Sequence, residues 1–337
     1  MRKIDNLPNP FESTYREFLD EPPAVQVQVF EDDTKSILSE NKSPDLSFRW
    51  SINPYRGCFH ACAYCYARPS HEYLGFGAGS DFESKIVVKP KAPELLRQAF
   101  EKPSWKGEFI VFSGDTDCYQ PLEAIYGLTR KCLEVCLEYR NPATLITKSY
   151  LIARDAELLA ELNRQAYAHV TASIAFADDE MARKVEPQAP SPSRRFQMIE
   201  TLTRAGVPVG VLIAPVMPGL NEDQILKILK RARQAGATSA GMVILRLPGS
   251  VKEVYLSRMK KEFPDRIKKI ENFIRDARGG KLTDSNFHQR HQGSGRYWET
   301  IERLFELNRK KLEFAIAHRP IPQTFRRPTE LPLCRSN

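Results

Sequence analysis

The sequence predicts an α/β fold built on one parallel β-sheet. Six short runs rich in aliphatic and β-branched residues alternate with amphipathic stretches. Several runs are almost continuous Val, Ile and Leu, as in parallel strands that are covered on both faces. Strands that alternate with helices form right-handed βαβ units within a single sheet. Both a doubly wound open sheet and a full or partial barrel fit this pattern.

The individual elements follow one another along the chain. The predicted strands are residues 49–53, 108–113, 143–148, 168–176, 207–215 and 239–247. Gly206 and Gly236 are predicted to end two helices, because glycine readily takes the left-handed conformation that follows a helix. Asn221, which two acidic residues follow, is predicted to cap the start of another helix.

The chain divides into three predicted regions. Residues 1–47 contain prolines and acidic residues and are expected to form an arm, with one candidate strand at 24–30. Residues 48–250 hold the alternating strands and helices. Residues 251–337 are expected to form a basic, mostly helical cap, with helices near 252–277 and 297–317.

Composition narrows the class of protein. The chain has 337 residues and a formal net charge of +8. It contains no apolar run long enough to span a bilayer and no apolar stretch typical of a signal peptide. We therefore expect a soluble, cytoplasmic protein without membrane contact, and a monomer, because no exposed apolar helix face stands out.

The positive charge is concentrated at one end of the chain. Residues 241–337 hold 21 Lys and Arg against 11 Asp and Glu, whereas the rest of the chain is nearly balanced. An excess of this kind favours an anionic partner such as nucleic acid. Solvated helix faces that mix both signs explain the same charges equally well.

Three of the seven cysteines lie within eight residues, as Cys58, Cys62 and Cys65. Such clustering in an intracellular chain indicates metal or redox chemistry rather than disulfides. Three thiolates in the spacing C-x3-C-x2-C suit three corners of an iron–sulfur cluster and leave one iron open. Structural zinc with His60 or His71 as fourth ligand is an alternative, and absence of any metal is another.

The other cysteines carry less information. Cys132 and Cys136 lie four residues apart in a helical pattern, so they share one face and are predicted to pack in the core. Cys334 lies in the proline-rich tail and indicates no function.

The motif Cys-x3-Cys-x-aromatic-Cys, directly after the first strand, resembles the defining motif of the radical S-adenosylmethionine (radical SAM) superfamily. The resemblance covers roughly residues 48–250, within the branch related to spore photoproduct lyase and close to uncharacterised bacterial members. It implies a partial (β/α)6 TIM-like barrel with an N-terminal arm and a C-terminal helical extension. It also implies a 4Fe–4S cluster on the three cysteines, which cleaves S-adenosylmethionine (SAM) to a 5′-deoxyadenosyl radical that abstracts hydrogen from substrate. A reductant such as flavodoxin or ferredoxin would then be a partner.

The same resemblance implies contacts to SAM. Tyr64 matches the aromatic position that helps hold the adenine. Lys148, in the sequence LITKSY, matches a lysine that meets the SAM carboxylate. Ser173 resembles a serine on the fourth strand that contacts the cofactor. An exposed loop lysine and a hydroxyl satisfied by neighbouring backbone are the alternatives for these last two residues.

Thr116 and Asp117 end the second strand, where the superfamily usually contacts the amino group of SAM. They are therefore the candidates for that contact. Arg195 and Glu186 also match the branch, and they could brace the cofactor site or simply pair with each other.

One difference from spore photoproduct lyase limits what the resemblance implies about the reaction. Spore photoproduct lyase has a hydrogen-donating cysteine on this strand, and our alignment places Gly114 near that position. Cys118 and Tyr119 follow shortly and are the predicted catalytic radical relays, with an inert buried thiol as the alternative for Cys118. Because of this departure, photoproduct repair is not transferred to this chain.

The predicted function is thus a lyase-like or modifying radical SAM enzyme that acts on an unidentified substrate. Basic and aromatic residues near the C-terminus make a nucleotide or nucleic acid one hypothesis, namely Arg290, Arg296, Phe287, Tyr297 and Trp298. The aromatic residues fit the packed start of a helix as well. A non-catalytic, metal-binding nucleic-acid-binding protein is the alternative function, against which the matches at the strand ends argue.

Overall fold

A computed structural model describes residues 27–283, 286–315 and 320–328. The strands of these residues are β1 (Gln28–Glu31), β2 (Leu38–Glu40), β3 (Trp50–Ile52), β4 (Tyr55–Arg56), β5 (Lys85–Val88), β6 (Ile110–Phe112), β7 (Ala143–Thr147), β8 (Ala168–Ser173), β9 (Val209–Val216) and β10 (Ser239–Ile244). The helices are α1 (Ser80–Ser84), α2 (Ala92–Glu101), α3 (Glu123–Tyr126), α4 (Leu128–Glu138), α5 (Ala156–Gln165), α6 (Asp179–Val185), α7 (Pro192–Arg204), α8 (Ile225–Gln234), α9 (Val251–Glu262), α10 (Ile267–Asp276) and α11 (Gly295–Lys311). Short 3-10 helices span Arg68–Leu74, Tyr150–Asp155 and Glu222–Gln224.

The main sheet has the order β10-β9-β8-β7-β6-β3-β2. Its six parallel strands are the six predicted from the sequence, and they are arranged in chain order. Each crossover therefore steps in the same direction, which is the arrangement of a barrel and not of a doubly wound sheet. β2 pairs antiparallel with β3 at one edge, and β10 forms the other edge. The prediction of a partial (β/α)6 barrel is confirmed.

The core lies between the sheet and the helices that cover it. Each amphipathic helix places its apolar stripe against the strands, because burial of that stripe supplies most of the stability of a helix in a protein. The fully buried contributors from α2, α4, α5, α7 and α8 include Leu96, Leu133, Leu159, Ile199 and Ile228. Cys132 and Cys136 are also fully buried in this core, as predicted.

The helix-end predictions had different outcomes. Gly206 and Gly236 follow α7 and α8 with φ of 84° and 101°, which confirms their predicted role. Asn221 stands at the N-cap position of a 3-10 turn, as predicted, but its side chain makes no capping hydrogen bond there. Its amide instead donates to the carbonyl of Ala175 at 2.7 Å, and its oxygen accepts from the Met217 N–H at 2.6 Å. Asn221 therefore ties together the segments that follow β8 and β9.

An insertion between β3 and β6 supplies β4 and β5, which form a second, three-stranded sheet with β1 in the order β1-β5-β4. β1 is the described part of the strand predicted at residues 24–30; residues 24–26 lie outside the described residues. The insertion also contains α1 and the loop of residues 57–67 that carries the three cysteines. The sequence did not predict this sheet, because its strands are only two to four residues long.

The C-terminal region packs against the barrel. The single helix predicted near 252–277 is two helices, α9 and α10, because Pro264 cannot continue a helix. Trp298, Ile301 and Phe305 of α11 join the main core. Among the helices of the described residues, none has both the length and the apolar character that a membrane crossing requires. Cys334 lies outside the described residues.

Candidate active site

A cavity of about 350 Å³ opens at the C-terminal ends of the parallel strands. Enzymes with this architecture carry their active sites at this end of the barrel. Its walls come from the cysteine loop, from β8 and β9, from the ends of β6, β7 and β10 with the residues that follow them, and from the region of Leu46 and Phe48. Eight of the predicted site residues line it: Cys58, Cys62, Tyr64, Cys65, Thr116, Asp117, Lys148 and Ser173.

The cysteine loop is held by a buried arginine that sequence reasoning missed. Arg68 is 2% exposed, and it donates from Nε and Nη2 to the carbonyl of Cys62 at 3.1 and 3.0 Å. Its Nη1 donates to the carbonyls of Ala78 and Gly79 at 2.9 and 2.8 Å, and Glu83 balances its charge at 3.0 Å. Because a guanidinium presents several donors in a rigid fork, one side chain ties the loop at Cys62 to the backbone just before α1.

A second brace holds the start of the same loop. The Thr116 hydroxyl donates to the carbonyl of Gly57 at 2.5 Å, and Gln120 donates to that carbonyl at 3.2 Å. The Gln120 side chain also accepts from the N–H of Phe59 at 3.3 Å. Thr116 thus lines the cavity, but its hydroxyl group donates its hydrogen bond to the cysteine loop. No sequence pattern marked Gln120, which is fully buried.

Asp117 links the ends of β6 and β7. Its carboxylate accepts from the Thr147 hydroxyl at 2.7 Å and from the Lys148 N–H at 2.8 Å. It also accepts from the Tyr119 N–H at 2.9 Å and lies 3.4 Å from Nδ1 of His60. Protein groups therefore take up much of the acceptor capacity of Asp117, and the carboxylate positions Lys148 and His60 at the cavity wall.

Tyr64, Glu186, Arg195 and Ser173 form one buried hydrogen-bonded chain. The carboxylate of Glu186 accepts from the Tyr64 hydroxyl and forms an ion pair with Arg195, and both charged side chains are at most 1% exposed. Arg195 also donates to the carbonyl of Ser173 at 3.1 Å. Arg195 does not line the cavity. It pairs with Glu186, which was one of the two alternatives, and it binds Ser173 of the wall directly and Tyr64 through Glu186. The Ser173 hydroxyl lies 3.5 Å from the carbonyl of Ala214.

Burial affects the protonation states of the titratable side chains that line the cavity. It raises the pKa of Cys58 and Cys62 to about 12 and that of Cys65 to about 11, so the thiols are protonated at neutral pH without a metal. Metal binding to these sulfurs therefore releases protons. Burial acts to lower the pKa of Lys148, but Cys62 in its thiolate form and the carboxylate of Glu186 outweigh it and raise that pKa. Lys148 is thus a cation.

The structure does not bring Cys118 and Tyr119 to the cavity. Both are fully buried in the main core, and the Tyr119 hydroxyl donates to Asp155 at 3.0 Å. The carboxylate of Asp117 faces the cavity, whereas the next residue along the chain faces the core. The relay role of Cys118 and Tyr119 stays a prediction, and their placement does not support it.

The residues considered for zinc are placed apart from the cysteines or bonded elsewhere. His71 is fully buried, and its Nε2 lies 2.9 Å from the carbonyl of Lys85. His60 faces Asp117. Within residues 27–283, 286–315 and 320–328, no three Cys, His, Asp or Glu side chains converge as ligands of a single ion would. A donor set of three thiols on one cavity wall fits an iron–sulfur cluster.

The aromatic and basic residues near the C-terminus do not form one surface. Trp298 is buried in the core, and Tyr297 stacks on Phe273 with ring centroids 4.3 Å apart. These two are therefore the packed start of a helix, which was one of the two alternatives. Arg290 pairs with Asp45 at 2.5 Å, whereas Phe287 and Arg296 are exposed.

Comparison with known proteins agrees with this geometry. The family model for the radical SAM superfamily matches residues 52–232. An uncharacterised protein of Mycobacterium tuberculosis is 34% identical over 293 residues, which cover 86% of this chain and 82% of that protein. The radical SAM Nα-GlyT isomerase of Pseudomonas phage M6 is 25% identical over 231 residues, which cover 67% of this chain and 46% of that protein.

Solved structures of spore photoproduct lyase have a similar fold. One, in complex with a dinucleoside spore photoproduct, superposes with a TM-score of 0.58 at 13% identity, over 84% of this chain and 79% of that chain. At this level of identity the similarity concerns the fold alone.

Proposed function

The chain belongs to the radical SAM superfamily of enzymes, and on this premise we propose that Cys58, Cys62 and Cys65 hold a 4Fe–4S cluster that serves to cleave SAM. The observation that carries the proposal is that all three thiols line one cavity together with Lys148 and Ser173, at the C-terminal ends of the strands. A binding module without catalysis needs no such groove, which argues against the alternative of a metal-bearing nucleic-acid binder.

Once bound, such a cluster supplies the electron that cleaves SAM and yields a 5′-deoxyadenosyl radical for hydrogen abstraction. The protein contributes binding and orientation. The Lys148 ammonium, fixed through its backbone by Asp117, is the partner for the carboxylate of SAM. The ring of Tyr64, held by Glu186, is the surface for the adenine, and Ser173 is the polar contact beside it.

The rest of the wall excludes water. Apolar side chains from the strand ends face the same cavity, namely Val111, Ile146, Leu212, Val243 and Ile244. A radical that abstracts hydrogen requires a dry site, because a closed apolar environment prevents side reactions with solvent and other groups. Thr116 and Gln120 serve this function indirectly, since they fix the loop that forms one side of the cavity.

Substrate, partner and domain assignments belong to the same proposal. The substrate is unidentified, and a nucleotide or nucleic acid is the hypothesis; a structure of spore photoproduct lyase contains a dinucleoside. A flavodoxin or ferredoxin would deliver the electron. We assign residues 1–47 to an arm, 48–250 to the catalytic barrel and 251–337 to a cap.

The test uses full-length protein reconstituted anaerobically with iron and sulfide. We expect the broad visible absorption of a 4Fe–4S cluster, four irons per chain and, with dithionite and SAM, release of 5′-deoxyadenosine. Cys62→Ala should abolish both the intact cluster and the cleavage. Cys136→Ala is the matched control, because Cys136 is buried away from the cavity, and it should keep both. Bound zinc without cleavage, or cleavage by Cys62→Ala, would contradict the proposal.

A further inference from the structure

The cavity contains a cation that the proposed SAM contacts do not use. Its charged wall residues are Asp115, Asp117, Lys148 and Arg246. Lys148 is assigned to SAM, and Asp117 is taken up by protein donors. Arg246 lies two residues beyond the end of β10, whereas Lys148 follows β7, three strands away in the order of the sheet. It therefore forms a second positive pole of the cavity.

Arg246 has no acidic partner among the described residues. Its Nε is buried and makes no hydrogen bond, and no described carboxylate lies within 4.0 Å of its guanidinium. Its guanidinium is held by His291, whose Nε2 accepts from Nη1 of Arg246 at 3.4 Å. A partly buried guanidinium without a counter-charge is unfavourable unless a ligand supplies one.

The nearby carboxylate that could have neutralised Arg246 is engaged elsewhere. Asp45 of the arm is 3% exposed, and it binds Arg290 at 2.5 Å and the N–H of His288 at 2.6 Å. This pairing joins the arm to the loop that carries His291 and leaves Arg246 without a direct ion pair among the described residues. Arg246, whose Nη1 donates to Nε2 of His291, thus keeps its other N–H groups for a ligand at the cavity wall.

The cavity wall between Lys148 and Arg246 is lined by apolar and aromatic side chains. β7 and β10 are separated by three strand spacings, or about 14 Å along the sheet. The intervening wall includes Leu212, Ala214 and Val243, and Tyr66 closes one side, where its hydroxyl donates to the carbonyl of Gly114 at 2.8 Å. A molecule bound against this wall presents a planar or apolar part to the middle and an anionic group to Arg246.

We propose that Arg246, assisted by His291, binds an oxyanion of the substrate, a phosphate ester or a carboxylate attached to a planar group. This inference rests on the proposed function, because it assigns SAM to the Lys148 side of the cavity and the substrate to the Arg246 side. A guanidinium binds the two oxygens of either anion with parallel hydrogen bonds. An analogue of the substrate that lacks this anionic group would leave the guanidinium of Arg246 without a partner.

Two matched pairs of probes test the proposal and separate the two anions. Thymidine 5′-monophosphate is compared with thymidine, and orotate with uracil, by calorimetric titration of the reconstituted full-length protein with SAM and without reductant. For one pair we expect the anionic member to bind about ten- to a hundredfold more tightly, as for a charge-assisted hydrogen bond. Arg246→Gln should remove this preference, and Arg246→Lys should keep part of it.

Arg303→Gln is the matched control, because it removes one positive charge from an exposed position on α11, outside the cavity, and it should keep the full preference. Circular dichroism and the cluster absorption show whether each variant is folded. Equal binding within both pairs by the wild type overturns the proposal. So does a preference that survives in Arg246→Gln, one that is also lost in Arg303→Gln, or weaker binding of SAM itself in Arg246→Gln. The titration is repeated with cluster-free protein, so that failure to bind a cluster or cleave SAM is distinguished from failure at Arg246.

Discussion

The guanidinium of Arg68 donates two hydrogen bonds, of 3.1 and 3.0 Å, to the carbonyl of Cys62. Cys62 is the middle one of the three proposed cluster ligands, so this contact sets the backbone at the centre of the loop. The same side chain binds two further carbonyls and Glu83. The geometry of the cysteines therefore depends on a residue that contacts no substrate.

Arg68→Lys is expected to loosen the cysteine loop. An ammonium keeps the charge but cannot reproduce the planar fork, so buried carbonyls lose their donors. We expect the free energy of unfolding to fall by at least about 2 kcal/mol and iron release to a chelator to become faster. Denaturant titration and the decay of cluster absorption measure the two effects.

Arg97→Lys is the control for this change, because its ion pair with Glu138 is largely exposed. It should change stability by less than about 1 kcal/mol. If Arg68→Lys retained both stability and cluster like Arg97→Lys, the role assigned to Arg68 would be wrong.

Gly57→Ala should prevent assembly of the loop. Gly57 has φ of 73°, and an added Cβ would lie 2.9 Å from both Cε1 of His71 and the carbonyl oxygen of Phe82. Backbone strain and overpacking together should cost about 2–5 kcal/mol and reduce the iron bound per chain. Gly127→Ala meets no atom within 4 Å at a φ of 61°, so it should cost only the strain of about 1–2 kcal/mol and leave iron binding unchanged. Equal losses in both variants would show that the close packing at Gly57 is not decisive.

The buried ion pair of Glu186 and Arg195 predicts a pH-dependent stability. Burial acts to raise the pKa of Glu186, but Arg195 and Lys148 outweigh it and lower that pKa from 4.5. A carboxyl group with a lowered pKa in the folded state stabilises the protein above its unfolded pKa. That contribution is lost as the pH falls from about 4.5 through the folded value. Glu186→Gln should therefore cost about 3–5 kcal/mol at neutral pH, since it leaves Arg195 buried without its partner.

Urea titrations of wild type and Glu186→Gln across this pH range check the prediction. The difference between the two proteins should shrink as the pH falls below 4.5. Glu200→Gln is the control, because its ion pair with Arg204 is exposed, and it should show a small difference without a pH trend. A constant difference between wild type and Glu186→Gln down to the acid transition would mean that folding does not lower the pKa of Glu186.

The buried positions of Cys118 and Tyr119 predict that cleavage of SAM continues without them. Neither side chain lines the cavity. Cys118→Ala should cost about 1–2 kcal/mol of stability through a small cavity. Tyr119→Phe should cost about 1 kcal/mol through the hydrogen bond to Asp155. Both variants should release 5′-deoxyadenosine within twofold of the wild-type rate per cluster. A tenfold slower release with an intact cluster would instead support the relay role predicted from the sequence.

Periodicity predicted the six parallel strands, spacing marked the cluster motif, and the family resemblance implied the barrel. Five of the six strands lie within their predicted ranges and β9 ends one residue beyond its range, because a buried parallel strand is almost continuously apolar and that pattern is local. The cysteines, Tyr64, Lys148 and Ser173 were identified from short motifs, and the structure places them on one cavity. The small sheet escaped prediction because strands of two to four residues carry too little periodicity.

The direction of side chains after a strand ends is not encoded locally. Asp117 faces the cavity and Cys118 faces the core, although they are adjacent in sequence. A turn residue takes its orientation from the hydrogen bonds it makes with other segments, as Asp117 does with Thr147 and Lys148. Local patterns cannot show these partners, because they lie 30 and 31 residues away.

The sequence by itself therefore determined the six parallel strands and the identity of the three thiols, since both follow from short-range patterns. Only the tertiary structure decided the order of the strands in the sheet and which polar residues support the thiols. Arg68, Gln120 and Arg246 look like ordinary polar residues in the sequence. Each acquires its importance from burial beside a particular carbonyl or from the absence of a neighbouring carboxylate among the described residues. A buried polar group that lacks a hydrogen-bond partner or counter-charge is costly because water cannot reach it. Water is excluded only once distant segments pack together.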